Sequence, residues 1–90
     1  MPRVKIKLFA TLRERYGRSE VEVECDGTLR DAVEKAAGLL GEDFIGEVFS
    51  DGKPRDDRII LVNGRHIQFL GEVSLRDGDV VAIFPPLAGG

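Results

Sequence analysis

Ninety residues with a net charge of −3 and no basic block leave nucleic-acid binding without support and fit one domain, near the lower limit for chains that fold on their own core. Apolar residues make up 42%, enough to argue against wholesale disorder, while the charged share of 32% stands above the usual quarter. The single cysteine, Cys25, excludes an internal disulfide and any multi-cysteine metal site.

Val4 to Phe9 alternates strictly, with Val4, Ile6 and Leu8 facing one way and Lys5, Lys7 and Phe9 the other. A period of two is the mark of a half-buried strand. Thr11 to Gly17 reads as a charged connection with one helical turn, bent at Gly17. Glu20 to Cys25 alternates again, with Val21, Val23 and Cys25 inward and Glu20, Glu22 and Glu24 outward. Antiparallel pairing of these two strands sets Lys5 and Lys7 against the glutamates, a modest support of about 0.2–1 kcal/mol per pair. Asp26-Gly27 is a turn. Thr28 is then a helix N-cap, with Asp31 three residues on completing a capping-box-like pair. Leu29, Ala32, Val33, Ala36 and Leu40 form one apolar stripe, so this helix lies across the inner face of the sheet. Gly41 supplies a left-handed stop. Gly38 weakens the last turn by about 1 kcal/mol, or else permits close approach to the sheet.

Phe44 to Phe49 predicts a second, brief helix capped by Asp43, with Phe44, Val48 and Phe49 plugging one edge of the core. Ser50 to Arg58 is a polar loop with an Asp51-Gly52 turn. Ile59 to Val62 is an apolar strand, and Asn63-Gly64 is a strong hairpin signal, because both central positions of a type I′ turn need φ > 0. Arg65 to Leu70 is the return limb. A further turn over Ser74 to Asp79, with Asp77-Gly78 at its tip, leads into the last strand, Val80 to Phe84. That strand lacks polar alternation, as a central strand does. The helix is the crossover that a parallel connection requires, which places the first and last strands side by side in the middle. The expected fold is an α+β roll: a mixed sheet with one main helix packed on it. The opposite face, carrying Phe9, Ala82 and Phe84, stays partly uncovered and reads as a docking surface.

The last strand runs into Pro85-Pro86-Leu87-Ala88-Gly89-Gly90. Prolines fix φ and favour an extended path, and glycines, lacking Cβ, fit a narrow slot. Extended, residues 85–90 span roughly 20 Å at about 3.3 Å each. The segment reads as a flexible tail with a stiff root and a slim tip, shaped to present the Gly90 carboxylate to another protein.

The strand-strand-helix-strand order, Val62-Asn63-Gly64, Leu75-Arg76-Asp77-Gly78-Asp79-Val80, and Phe84-Pro85-Pro86 ahead of Gly89-Gly90 together resemble the MoaD/ThiS family of ubiquitin-like sulfur carriers. The likeness covers essentially the whole chain, is weakest over Gly41 to Arg58, and is closest to the MoaD branch, the small subunit of molybdopterin synthase. It implies a single β-grasp (ubiquitin-like) domain over residues 1–90. It also implies a cycle in which an E1-like partner uses ATP to adenylate the Gly90 carboxylate and a sulfur donor system converts it to a thiocarboxylate. In molybdopterin synthase the tail enters the large subunit, and its sulfur builds the dithiolene of the pterin in molybdenum cofactor biosynthesis. On this reading Gly89 and Gly90 are the reacting end, and Phe9, Ala82, Phe84, Pro85, Pro86, Leu87 and Ala88 meet partners. The chain is a carrier, not an enzyme by itself.

Other candidates carry less. Cys25 lies on the inward phase with no basic partner nearby, which describes a buried free thiol better than a nucleophile. His66 is the only histidine and makes no metal cluster, so no metal is expected. Asp56-Asp57 and Asp77/Asp79 are explained by turn chemistry. No P-loop spacing occurs, so the chain binds no cofactor directly and ATP belongs to the activating partner. Cysteine usage points to the cytoplasm, and neither a membrane-length apolar run nor the apolar core of a signal peptide is present. Two function classes follow: a sulfur carrier, for molybdopterin ahead of thiamine or another pathway, or a ubiquitin-like modifier joined through Gly90 to lysines. A third is a β-grasp interaction module with an inert tail.

Overall fold

A computed structural model describes residues 1–86. Along the chain run β1 (Arg3–Leu8), α1 (Thr11–Tyr16), β2 (Glu20–Glu24), α2 (Leu29–Leu40), α3 (Asp43–Val48), β3 (Phe49–Ser50), β4 (Lys53–Pro54), β5 (Ile59–Val62), β6 (Arg65–His66), a 3-10 turn at Ile67–Phe69, and β7 (Val80–Phe84). Five strands form one sheet in the order β2-β1-β7-β5-β6. β1 and β7 are parallel neighbours at its centre, and the other pairings are antiparallel. This is the mixed sheet expected from the apolar character of the first and last strands.

Alternation decides which way each strand faces. Val4, Ile6 and Leu8 of β1, Val21 and Val23 of β2, Ile60 and Val62 of β5, and Val81 and Ile83 of β7 all point into one core. α2 covers them with Leu29, Ala32, Val33, Ala36 and Ala37, and α3 closes one end with Phe44 and Val48. Each large apolar side chain buried this way contributes about 1.5–3 kcal/mol. Cys25 is fully buried in the same core as a free thiol. β1 and β2 pair with Lys5 opposite Glu22 and Lys7 opposite Glu20. Lys5 reaches diagonally to Glu20 at 3.3 Å, while Arg3 takes Glu22 and Glu24.

Several expectations are corrected. The Thr11 region is a six-residue helix, not a loop with one turn, because Leu12 buries itself in the core. At the start of α2 the Thr28 hydroxyl accepts from Asp31 N–H, as expected, but the Asp31 carboxylate accepts from Asp26 N–H rather than from the cap residue. Gly41 ends α2 at φ 126° and ψ 146°, a glycine conformation but not the left-handed helical one. Gly38 is exposed with nothing within 4 Å of where a Cβ would stand, so it permits no close approach. Asp43 does not cap α3: it is its first residue, and its carboxylate instead receives Arg15 and, at 3.0 Å, the Tyr16 hydroxyl. The polar loop after Ser50 is a small hairpin, β3-β4, turned by Asp51 and Gly52 at φ 53° and 78°. The return limb keeps strand pairing only at Arg65–His66, then coils into the 3-10 turn, whose start is capped by His66 Nδ1 accepting from Gln68 N–H.

Two turns place the last strand. Asn63 and Gly64 have φ 51° and 87°, the type I′ geometry. The Asn63 amide then bonds both Asp79 Oδ1 and Val80 N–H at 2.9 Å, tying the hairpin to the start of β7. In the next turn Asp77 Oδ1 accepts from Arg3 N–H at 2.9 Å, and Asp79 Oδ2 accepts from Arg76 N–H at 2.8 Å. β7 is thereby registered against β1 and β5 before it runs out toward Pro85.

Candidate functional site

The sheet face turned away from α2 carries the alternate residues of the same strands. Register sets Lys7 and Leu61 on either side of Ala82, and Ile59 opposite Phe84. Ala82, Phe84, Leu61 and Phe9 are half-buried, and Ile59 is 38% exposed. Phe9 follows β1 and lies flat on Phe84, with ring centroids 4.3 Å apart and planes 10° apart. The Arg13 guanidinium sits 5.8 Å from the Phe9 ring centre. The last side chain before the prolines is therefore fixed by an aromatic stack, a geometry worth about 0.5–1.5 kcal/mol beyond the area it buries.

Beside this stack is a groove of about 390 Å³, lined by Ala10, Thr11, Glu47, Arg58, Ile59, Phe84, Pro85 and Pro86. Its apolar wall is Phe84, Ile59 and the two prolines. Arg58 is more than nine-tenths buried. Its Nη2 donates to Glu47 Oε1 at 3.3 Å, and its Nη1 lies 3.1 Å from Asp57 Oδ2, close enough for charge attraction but out of line for a hydrogen bond. Glu47 also accepts from Arg15 at 2.9 Å, so the groove's polar end is a balanced network rather than a basic patch.

Four groups titrate away from their usual ranges, and none lines the groove. Burial, then the hydrogen bond to Asp43, pushes the Tyr16 phenol up to about 12. Hydrogen bonds from the Thr28 hydroxyl and amide hold the Asp26 carboxyl below the usual carboxylate range. The Arg55 guanidinium holds Asp57 low, and Asp57 in turn raises Arg55. Among the described residues no group of three His, Cys, Asp or Glu side chains is placed to hold a metal ion, and no helix is long and apolar enough to cross a membrane. What the geometry offers is a contact surface around Phe84, Pro85 and Pro86.

The profile of the ThiS family matches residues 6–90. The chain belongs to the ThiS family. Small archaeal modifier protein 3 of Haloferax volcanii is 32% identical over 91 positions, covering 97% of this chain and 98% of its own. The solution structure of small archaeal modifier protein 1 from Methanosarcina acetivorans superposes with a TM-score of 0.80 at 29% identity, covering all of this chain and 98% of the other. A Pyrococcus furiosus protein provisionally called molybdopterin converting factor, subunit 1, is 40% identical with a TM-score of 0.68, covering 97% of this chain and 100% of its own. The ubiquitin-like β-grasp fold is thus shown, in a family of small carriers and modifiers that are not enzymes.

Within this ThiS-family fold, five of the nine residues singled out from the sequence fall on one surface. Phe9, Ala82 and Phe84 share the open face, and Pro85 and Pro86 continue from it along the groove. Leu87, Ala88, Gly89 and Gly90 lie outside the described residues. Sequence reasoning missed Ile59 and Leu61 as members of the open face. Their signal was available: Ile60 and Val62 point inward, so the alternate phase of β5 faces outward. Arg58, Glu47 and Thr11 carried no such signal, since they are far apart in the chain and meet only in the folded groove, where Glu47 of α3 accepts from Arg58.

Proposed function

We propose that the protein works by activation of its Gly90 carboxylate. An E1-like enzyme adenylates it with ATP, a sulfur donor system converts it to a thiocarboxylate, and the sulfur is donated for molybdopterin biosynthesis, the chain acting as the small subunit of molybdopterin synthase. The observation carrying this reading is the placement of the segment that leads to the tail: β7 leaves the centre of the sheet through the Phe9–Phe84 stack, beside an open apolar face, straight into Pro85-Pro86. A free carboxylate is a poor acyl donor, because oxide would have to leave. Adenylation substitutes a good leaving group, and a thiocarboxylate then carries nucleophilic sulfur on a protein tether. Docking of the open face orients that sulfur and replaces a bimolecular encounter. Phe9, Ala82 and Phe84 supply the docking face, Pro85 to Ala88 the stalk, and Gly89 and Gly90 the slim end.

A second reading has a specific observation in its favour. A relative that aligns over 97% of this chain is called a small archaeal modifier protein. Modification uses the same adenylated tail but passes Gly90 to a lysine amine. The two outlets are separated by mass spectrometry of the protein purified from its own cells. Replacement of one terminal oxygen by sulfur supports the carrier, and isopeptides joining Gly90 to lysines support the modifier. Gly90→Ala is expected to abolish thiocarboxylation with thermal unfolding unchanged. A tail-deleted chain that still accepted sulfur would refute the assignment.

A further inference from the structure

The open face carries a charge that its own ladder leaves over. Register puts Lys5 opposite Glu22 and Lys7 opposite Glu20. The ion pairs are displaced one step from that register: Arg3 takes Glu22 and Glu24, at 3.3 and 3.2 Å, and Lys5 takes Glu20 at 3.3 Å. All three outward glutamates of β2 are thereby occupied, and Lys7 has no carboxylate partner among the described residues. Arg13, whose guanidinium sits beside Phe9, has none either; its Nε donates to Leu8 O at 3.5 Å. Both cations lie at the end of the face where Phe84 leads to the tail, because β1 and β7 run parallel. Their sign is opposite to the net charge of −3 of the whole chain.

The position of Lys7 decides what fits over it. It is half-buried, between Glu20 and Ala82 in the register, with Leu61 next in the same row. A lysine so placed lays its stem on the sheet and keeps its ammonium in water. Any surface that closes over Ala82, Leu61 and Phe84 takes that ammonium out of water too, and a buried charge without an opposite partner is costly. A wholly apolar surface is therefore a poor fit, and a basic one is repelled. The same face of a second copy is no better, because its glutamates are already taken. The matching surface is apolar with a carboxylate set into it.

We propose that Lys7 is the specificity-determining contact of the open face. It pairs with an aspartate or glutamate of the enzyme that activates the tail, inside an apolar contact made by Ala82, Leu61 and Phe84, and Arg13 meets further acidic surface at the rim. The proposal rests on the tail-activation reading, whose first step serves carrier and modifier alike, and it names the chemistry of the surface on which that step takes place.

The test uses the full chain with the E1-like activating enzyme of the same organism, following ATP–pyrophosphate exchange as a function of carrier concentration. Lys7→Met keeps the stem and removes the charge, and Glu20 keeps Lys5, so an unchanged melting curve is expected. Lys35→Met, at an exposed position on α2, makes the same change in net charge away from the face. At about 0.1 M salt Lys7→Met should raise the half-saturating carrier concentration about tenfold with the maximal rate unchanged, and Lys35→Met should leave both unchanged. The Lys7→Met effect should shrink toward nothing at about 1 M salt, where the screening length falls to about 3 Å. In the native complex a zero-length carbodiimide crosslink should join the Lys7 amine to an enzyme aspartate or glutamate. Equal half-saturation for Lys7→Met and the native chain, an equal effect of Lys35→Met, an effect that salt does not reduce, or a crosslink map without Lys7 overturns the proposal and leaves tail activation standing. So does a native chain that sediments as a dimer which Lys7→Met dissociates, since the face would then take a second copy. Absence of any exchange with the native chain overturns tail activation, and the Lys7 proposal with it.

Discussion

Ala10 is under strain that a single substitution should release. Phe9, Ala10, Thr11 and Leu12 form a tight turn closed by Leu12 N–H to Phe9 O at 3.1 Å, with Ala10 at φ 53° and ψ −128°. These are the angles of the first central residue of a type II′ turn, a position that belongs to glycine. Among the described residues the other non-glycine positions at positive φ are Asp51 and Asn63, whose short polar side chains tolerate it. An alanine has no such relief, and a residue held there costs about 1–3 kcal/mol. Glycine removes that strain but adds about 0.4–1 kcal/mol of unfolded-chain entropy to be lost on folding. Ala10 is exposed, so its methyl group contributes little packing. Ala10→Gly should therefore stabilise the protein by about 0.5–2 kcal/mol. At roughly 4–8 °C per kcal/mol for a domain of this size, the melting temperature should rise by several degrees. Urea unfolding should show a higher midpoint with an unchanged slope. Ala10→Val, β-branched in the same conformation, should lower the midpoint. A melting temperature for Ala10→Gly equal to or below that of the native chain would refute the strain argument.

Tyr16 should make stability fall at alkaline pH. Its folded pKa of about 12 lies above the usual value near 10, so its contribution is complete below pH 10 and is lost as pH rises through 12. Urea midpoints of the native chain and Tyr16→Phe, separated at pH 8, should converge by pH 12. Asp26 acts with the opposite sign: its carboxyl is held low by Thr28, so its contribution is present above pH 4 and is lost as pH falls through the folded pKa. Carbon NMR titration should find this carboxyl below the ordinary range, and Asp26→Asn should flatten the acid limb of the stability curve. Ile83→Ala empties a fully buried position in β7 and should cost about 2–5 kcal/mol by denaturant unfolding, a large part of the stability of so small a domain.

The parts of the fold written in periodicity and turn chemistry were legible in the sequence. β1 and β2 alternate without exception, Asn63-Gly64 admits one hairpin geometry, and the apolar stripe from Leu29 to Leu40 finds the sheet. What was not legible depends on side chains meeting at a distance. The Asp43 carboxylate has the composition of a helix cap, yet Arg15 and Tyr16 arrive from α1 and take it, so a charged hydrogen-bond pair overrides a local preference. The short α1 could not be told from a loop, because six residues are too few to be stable alone and Leu12 reveals its role only once the core exists. The site divides along the same line. Phe9, Ala82 and Phe84 follow from strand phase, whereas Arg58 joins the tail's root only because α3 brings Glu47 to it. Local pattern thus determines which face stays open, and long-range packing determines what is buried at its edge.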